Sequence, residues 1–327
     1  MATFRELFQA SIKSADTEEW FDAHFNHPIG LVFALFWNKL GVHPNVITIL
    51  SFFLGAGAGL MFSYTDWPHN VMGIVLLMLA NFCDSTDGQM ARLSGKTTLL
   101  GRVLDGVSGD VWFVAIYMGL SFRLMNEHIP GTDMTWGIWA WVLSALAGVL
   151  GHSPQSSLGD YYRQIHLFFL KGKEGSELDN YAQQIAIYKE TPRRKWFDRI
   201  FYKSYAGYCK SQEKRTPQFQ RFFALWNEVA AKHTAEEMAP LRDEFLKGSR
   251  PLMKYTNLLT FNSRAFFIYA TCLLGCFTDD VLGPWIYLLF EFVVLNLFYV
   301  YMMRSHEKLC VRMEARLQKL DAQEASE

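Results

Sequence analysis

Long apolar blocks are the feature that most restricts what this chain can fold into. Six blocks approach the roughly 20 residues that an α-helix needs to cross a bilayer. Half of the 327 residues are hydrophobic, and their concentration in these blocks argues against a pair of soluble domains. We therefore predict an all-α integral membrane protein with six transmembrane helices. The predicted spans are Val46–Tyr64, Val71–Cys83, Val103–Phe122, Trp136–Leu150, Leu258–Cys276 and Leu282–Met302.

The spans divide the chain into five segments. Ahead of the first span, Pro28–Leu40 mixes aromatic residues and Leu with Asn and Lys, which is typical of an amphipathic helix at the membrane interface. The segment between spans four and five shows helical periodicity with charged faces. We interpret it as a small helical cap; alternatively, its basic residues contact anionic headgroups or a phosphorylated substrate. The predicted segments are a cytosolic and interfacial N-terminus (1–43), spans one to four (44–152), a cytosolic helical insertion (153–257), spans five and six (258–303) and a cytosolic tail (304–327).

The distribution of Lys and Arg predicts the orientation in the membrane. The loops after spans one, three and five, at residues 66–70, 126–135 and 278–283, contain neither residue type. The insertion and the tail are rich in both. Because cytoplasmic loops carry the excess of positive charge, both termini, the insertion and the acidic stretch between spans two and three are predicted to face the cytoplasm.

Four carboxylates lie where the second apolar block ends and the third begins, at Asp84, Asp87, Asp105 and Asp110. An Asp at the centre of a membrane helix costs about 2.5–3.5 kcal/mol, so a chain keeps several only if something cancels their charge. Asp84 and Asp87 are three residues apart and share one face of a helix. Mg2+ prefers carboxylate oxygens and also takes substrate phosphates as ligands. The stretch therefore predicts a divalent-metal site.

The residues around the acids suit phosphate chemistry. Gly88 lets a ligand approach the backbone, and Arg92 offers a planar fork that matches phosphate oxygens. Ala91 and Gly101 allow neighbouring helices to lie close together. In phosphoryl transfer, positioning and charge neutralisation supply most of the catalysis, and this set of residues provides both.

The motif resembles the signature of the CDP-alcohol phosphotransferases, which are six-helix membrane enzymes, usually homodimeric. The stretch 41–48 also resembles the family's approach to its first span. The resemblance covers residues 28–150 well and the last two spans only by topology. The matching positions, at the family's spacing, are Asp84, Asp87, Gly88, Ala91, Arg92, Gly101 and Asp105.

The resemblance implies a reaction between a CDP-linked alcohol and an acceptor hydroxyl. Two metal ions, Mg2+ or Mn2+, would hold the diphosphate, the hydroxyl would attack the phosphorus that bears the alcohol, and CMP would leave. Carried over by position, the metal ligands are Asp84, Asp87 and Asp105. The nucleotide and phosphate site is lined by Gly88, Ala91, Arg92 and Gly101.

The chain departs from the family pattern at the fourth acid, which serves the family as a metal ligand and as the base. The pattern places it four residues after Asp105, where this chain has Gly109, and Asp110 follows. Four residues are about 40° around a helix, whereas five are about 140°. We favour a π-bulge that returns Asp110 to the metal site as ligand and catalytic base, eased by Gly106 and Gly109. The alternatives are that His152 accepts the proton or that the site is inactive.

Two arginines are predicted to bind the acceptor. Arg264 lies just inside span five, and charges within a membrane usually face a cavity or a partner. An acceptor phosphate is one such partner, and Glu291 in span six is the alternative. Arg163 closely follows span four and is predicted to shape the same acceptor site.

We predict a CDP-alcohol phosphotransferase that makes a phospholipid or sphingophospholipid among membrane lipids. A phosphorylated polar acceptor needs cations, so we favour CDP-diacylglycerol with inositol or inositol phosphate. Transfer of an ethanolamine- or choline-type headgroup from its CDP form to diacylglycerol or ceramide is the alternative. A divalent-cation transporter and an inactive scaffold are further alternatives. The net charge of −1 gives no case for nucleic-acid binding.

Overall fold

The computed structural model describes residues 6–8, 14, 16–96, 98–278 and 281–324. The predicted segment 1–43 therefore lies partly outside the described residues, as does part of the loop at 278–283. Within the described ranges the regular structure is helical, and the β-structure is an isolated bridge between His128 and Thr135. The all-α prediction is confirmed.

Fourteen α-helices are numbered here in chain order. They are α1 (His27–Lys39), α2 (Pro44–Met61), α3 (Trp67–Ser94), α4 (Leu99–Leu124), α5 (Ile138–Ala145), α6 (Ser153–Lys171), α7 (Tyr181–Glu190), α8 (Trp196–Arg215), α9 (Pro217–Ala230), α10 (Ala235–Ser249), α11 (Met253–Leu258), α12 (Phe261–Gly275), α13 (Pro284–Leu289) and α14 (Leu295–Glu324). Three π-helical segments span Asp22–Asn26, Leu146–His152 and Phe290–Val294. Two short 3₁₀ turns span Lys173–Gly175 and Arg250–Leu252.

Five helical stretches in the described part of the chain are long and apolar enough to cross a membrane. They are Pro44–Met61, Trp67–Ser94, Val103–Leu124, Ala235–Gly275 and Pro284–Asp321. These stretches contain most of the predicted spans one, two, three, five and six, and the protein is an integral membrane protein. The predicted fourth span is helical from Ile138 onwards but is not among the five, so the count of six stays a prediction.

The chain divides into two units. The first comprises Met1–Pro154 with Thr260–Asn296, and the second comprises Gln155–Leu259 with Leu297–Glu327. The second unit begins two residues after the predicted start of the insertion and includes the C-terminal part of α14.

In the first unit, α2 and α4 touch through glycines. A Cβ on Gly59 would lie 2.4 Å from the carbonyl carbon of Ala115, and one on Gly119 would lie 2.0 Å from the Gly59 oxygen. A Cβ on Gly55 would collide with the Trp112 ring at 2.0 Å. Small residues at such contacts let membrane helices approach to backbone distance. The contact therefore fixes the start of α4, which carries two of the acids, against α2.

A short turn joins the two helices that carry the acidic stretch. Gly95, at φ 65°, ends α3 in the left-handed conformation that glycine adopts without a Cβ penalty. The Thr98 hydroxyl then caps α4 by accepting a hydrogen bond from the Gly101 amide at 2.9 Å. The chain thus reverses sharply after Ser94, and the acid-bearing ends of α3 and α4 lie at the same end of the two helices.

A buried ion pair lies at the opposite end of α4. The Arg123 Nε donates to Glu127 at 2.7 Å, and its Nη1 donates to Asn70 at 2.9 Å. The Glu127 carboxylate neutralises this cation within the fold, and both partners of Arg123 are themselves buried. The ion pair lies at the end of span three that the Lys and Arg pattern predicts to face away from the cytoplasm.

The second unit has its own aromatic core. Phe169, Phe222 and Phe245 pack together with ring centroids 4.1–5.8 Å apart, and Tyr162 stacks on His306 at 4.2 Å. These rings come from α6, α9, α10 and α14. Since each unit buries its own apolar side chains, the insertion is a folded unit and not a loop.

Replacing Gly59 with Ala is expected to lower the free energy of unfolding by about 1–3 kcal/mol, because the methyl group overpacks a contact with main-chain atoms. The matched control is Gly57→Ala on the same helix, where a Cβ would come no closer than 3.4 Å to Leu76. Thermal unfolding in detergent micelles compares the two variants. Equal melting temperatures would contradict the close approach of α2 and α4.

Candidate active site

Three of the four predicted acids form one electrostatic group. Asp87 on α3 is 3% exposed, and its Oδ2 atom has no hydrogen-bond partner in the described structure. Asp84, one turn earlier on the same helix, and Asp105 on α4 both act on Asp87 electrostatically. The group is all of one sign, so something positive has to enter it when the acids are ionised.

Hydroxyl groups support these carboxylates. The Ser108 hydroxyl donates to Asp84 Oδ1 at 2.8 Å and contacts the Asp105 carbonyl oxygen at 2.7 Å. The Thr48 side chain on α2 lies beside the Asp87 carboxyl, and its hydroxyl donates to the Pro44 carbonyl oxygen at 3.3 Å. Neither residue is predicted by the motif, although Ser108 lies three residues after Asp105 and its helical spacing could have identified it. Thr48 comes from a different helix and carries no such signal.

Asp110 lies on a different face of α4. The helix is regular α from Leu99 to Leu124, so the predicted π-bulge is absent from the structure. Nothing in the packing demands a bulge, because a Cβ on either Gly106 or Gly109 would meet no atom within 4 Å. Asp110 therefore stays about 140° around the helix from Asp105. The role of Asp110 as ligand and base stays a prediction, and the bulge no longer supports it.

The family position for the fourth acid is open space. A Cβ on Gly109 would meet no atom within 4 Å, and this position is about 40° around the helix from Asp105. The missing carboxylate is thus not excluded by crowding. An aspartate side chain would fit on the face that carries Asp105.

His152 lies among aromatic rings and not among the carboxylates. It ends the π-helical segment Leu146–His152, is 9% exposed, and its ring centroid is 4.1 Å from Phe113 and 6.1 Å from Tyr117. Its Nδ1 atom has no hydrogen-bond partner in the described part of the chain. Phe113 and Tyr117 lie three and seven residues after Asp110, on the same face of α4. His152 packs against that face, so the two candidate bases, Asp110 and His152, lie on the same side of α4.

The predicted phosphate site is a shallow surface at the end of α3. A Cβ on Gly88 would lie 3.3 Å from Arg92 Nη1, so the exposed guanidinium extends over Gly88. Ala91 is half-buried on the same helix. Gly101 packs against α2, since a Cβ there would lie 2.8 Å from Asn45 Oδ1. A backbone that is accessible beside a planar cation suits the binding of phosphate oxygens.

Arg264 forms an ion pair with Glu291, the predicted alternative to an acceptor phosphate. Both residues lie in the first unit. Its Nε donates to both Glu291 oxygens at 3.0 Å, and its Nη1 donates to the Thr260 carbonyl at 3.0 Å. The Tyr287 hydroxyl donates to Glu291 at 3.3 Å. Arg264 and Glu291 are fully buried, so the structure places this cation in an internal network. Arg163 lies in the second unit, where its Nη2 donates to Asn257 at 2.6 Å.

A hydrogen-bonded chain links the N-terminal segment to the acidic stretch. Glu18 Oε2 lies 2.7 Å from His27 Nε2, and His27 Nδ1 lies 3.1 Å from the hydroxyl of Ser85, the residue after Asp84. Gln89 donates to the His27 carbonyl oxygen at 3.0 Å. The sequence carries no signal for this contact, because 58 residues separate His27 from Ser85.

A second acid ties the same segment to α12. Glu19 accepts hydrogen bonds from Asn262 at 2.8 Å and from Thr260. Between the N-terminal segment, α3 and α12 lies a small cavity of about 100 Å³. Its walls include Phe21, Phe82 and Phe266, and Phe82 is two residues before Asp84. Because two residues are about 200° around a helix, the cavity and Asp84 lie on different faces of α3.

Residues 41–152 match the family model described as CDP-alcohol phosphatidyltransferase. This range contains α2 to α5 and every predicted metal ligand. The family model thus matches the region that carries the motif, and the family resemblance of the motif is confirmed.

Three curated proteins are similar to parts of the chain. The bifunctional IPC transferase and DIPP synthase of Aquifex aeolicus is 27% identical over 142 residues, 41% of this chain and 30% of that protein. The archaetidylinositol phosphate synthase of Pyrococcus horikoshii is 30% identical over 84 residues, 25% of this chain and 43% of that protein. An uncharacterized protein of Aquifex aeolicus is 37% identical over 70 residues, 21% of this chain and 34% of that protein. The chain matches less than half of the length of each relative.

Replacing Glu291 with Gln is expected to destabilise the protein by about 3–5 kcal/mol, because it removes the carboxylate that neutralises a buried Arg264. The double variant Arg264→Met with Glu291→Leu is expected to recover most of that loss, since it removes both charges. Thermal unfolding in detergent measures both. A Glu291→Gln variant as stable as the parent protein would contradict the pairing.

Proposed function

We propose that the protein transfers a phospho-alcohol group from a CDP-alcohol to an acceptor hydroxyl, with release of CMP, in phospholipid synthesis. The observation that carries the proposal is the group of like-charged carboxylates on membrane helices α3 and α4, inside the region that matches the CDP-alcohol phosphatidyltransferase model. The two named relatives are synthases or transferases. A reaction that joins an apolar partner to a polar one suits a site at the end of membrane helices.

We propose that the reaction depends on divalent metal, Mg2+ or Mn2+, bound as two ions. In the described residues, no three His, Cys, Asp or Glu side chains already form a metal-holding group. The donor set nevertheless fits, because Asp87 Oδ2 is buried without a partner and two more carboxylates act on it. Asp84, Asp87 and Asp105 would hold the ions, which would neutralise the diphosphate of the donor.

The chain's own residues would bind phosphate, position a metal ligand and accept the proton. Arg92, extended over Gly88, would bind the phosphate that leaves with the nucleotide as part of CMP. Ser108 would keep the Asp84 carboxylate in place. The acceptor hydroxyl must lose its proton as it attacks, and a positioned carboxylate typically contributes 10²–10⁴-fold, on the order of 3–5 kcal/mol, to such a step. We propose Asp110 for this role because it is exposed, whereas His152 is enclosed by aromatic rings.

We propose CDP-diacylglycerol as donor and inositol or inositol phosphate as acceptor. The name of the Pyrococcus horikoshii relative describes an inositol phosphate lipid as its product, which supports this choice. Headgroup transfer to diacylglycerol or ceramide is the alternative. We further propose a homodimer, which the family resemblance implies. From the Lys and Arg pattern we propose a cytoplasmic position for the termini and the site.

The proposal predicts CMP release by the purified protein in nanodiscs with Mg2+. CDP-diacylglycerol with inositol or inositol 1-phosphate is expected to release CMP, and CDP-ethanolamine with diacylglycerol or ceramide is not. Asp87→Asn, which keeps the shape and removes the charge, is the control and is expected to lose at least about 100-fold. CMP release from neither pair would overturn the proposed function, and release only from the second pair would overturn the substrate choice.

The open position at Gly109 gives a separate test of the base. Asp110→Asn is expected to lower the rate of CMP release by about 10²-fold or more, because no carboxylate would then take the proton. Adding Gly109→Asp to that variant is expected to restore much of the rate, since the new side chain meets no atom and lies on the Asp105 face. His152→Ala is expected to change the rate less. An unchanged rate in Asp110→Asn would rule out Asp110 as the base.

A further inference from the structure

The second unit carries a basic and aromatic surface that the proposed reaction does not use. Helices α7 and α8 form a hairpin, joined by residues 191–195. We call residues 191–200 the hairpin tip. Its exposed side chains are Arg193, Arg194, Lys195, Trp196, Phe197 and Ile200.

The apolar side chains of the tip share one face of α8. Trp196, Phe197 and Ile200 occupy positions i, i+1 and i+4 of its first turn, within about 100° of one another. Trp196 is 66% exposed and Ile200 is 58% exposed. A contiguous patch of a Trp, a Phe and an Ile at the surface is typical of a site that binds something apolar.

The tip has a fixed shape. Arg199 Nη1 donates to the Tyr188 carbonyl at 3.1 Å and to the Thr191 carbonyl at 2.6 Å, which ties α8 to the end of α7. The Arg199 guanidinium also lies 4.3 Å from the centre of the Tyr188 ring. Because these contacts join α8 to the end of α7, folded structure holds Trp196 and its neighbours at the surface.

The tip is also strongly positive in a chain that is nearly neutral. Residues 191–200 contain four Lys or Arg and one Asp, a local charge of +3, against −1 for the whole chain. Three of the cations, Arg193 to Lys195, directly precede Trp196. The nearest acid to Lys195 is Asp198, at 4.0 Å between Nζ and Oδ2. The charge is therefore available to an external anion.

We propose that the hairpin tip docks on an anionic lipid bilayer. Trp and Phe side chains are favoured at the headgroup level of a membrane, and adjacent Lys or Arg side chains attract acidic headgroups. A protein that spans the membrane always lies next to the surface of a lipid bilayer. A second copy of this chain is the weaker candidate, because two tips of charge +3 repel each other.

Hydrogen–deuterium exchange of the full-length protein in nanodiscs tests the proposal. The first amides of α8 lack intrahelical partners and exchange fast unless they are covered. In discs that contain one-third phosphatidylglycerol, exchange in residues 196–198 is expected to slow at least about tenfold relative to pure phosphatidylcholine discs. Each cation near an anionic surface changes docking by roughly fivefold.

Matched charge reversals complete the experiment. Arg193→Glu with Arg194→Glu is expected to abolish the protection in anionic discs. Arg242→Glu with Lys247→Glu, at exposed positions of α10 in the same unit, is expected to leave it unchanged. Trp196→Gln is expected to reduce it, and unchanged exchange in the rest of the second unit confirms that each variant is folded.

Two outcomes would overturn the proposal. Equally fast exchange at the tip in both kinds of disc would show that the surface binds no lipid. Equal protection in both, retained in detergent and lost on dilution, would show that a second copy of the chain covers the tip. The test uses no substrate, so its failure would leave the proposed function untouched.

Discussion

A like-charged group within membrane helices is the constraint on which the rest of the first unit depends. Asp87 is almost completely buried, one of its oxygens has no hydrogen-bond partner in the described structure, and Asp84 and Asp105 add charge of the same sign. Such a group is stable only with a counter-charge or with protons. The surrounding contacts keep the carboxylates together despite their repulsion: glycine packing of α2 on α4, the Ser108 hydrogen bond, and the link from Glu18 through His27 to Ser85.

The other buried charges of the same unit show why this group is different. Arg264 meets Glu291, and Arg123 meets Glu127, each within 3.0 Å. These pairs are neutral inside the fold and need nothing from outside. The acids of α3 and α4 instead act on one another with charge of the same sign, and the exposed Arg92 lies one turn after Gly88 on α3. A ligand that brings positive charge, together with a phosphate for Arg92, completes the group, which is what a metal-bound diphosphate would supply.

The sequence predicts well those features that are local or periodic. Apolar blocks of about 20 residues predicted the membrane helices, and the spacing of Asp84, Asp87 and Asp105 predicted the family and the grouping of these acids. The contacts that it does not predict are distant in sequence. His27 and Ser85 are 58 residues apart, and Thr48 joins the acids from another helix.

Where two local outcomes compete, the sequence cannot choose between them. A π-bulge and a regular helix are both compatible with Gly106 and Gly109, and the structure has the regular helix, because no packing contact at either glycine requires a bulge. Arg264 could face a ligand or an acid, and the partner depended on how α12 packs beside the segment that carries Glu291.

The central claim is that Asp84, Asp87 and Asp105 hold divalent metal for a CDP-alcohol. The most direct measurement is a structure of the protein with Mn2+ and CDP-diacylglycerol, with the anomalous signal of manganese located. The account predicts manganese between α3 and α4, in contact with these three carboxylates and with the diphosphate. Manganese that is absent from this group, or a diphosphate bound elsewhere, would contradict it.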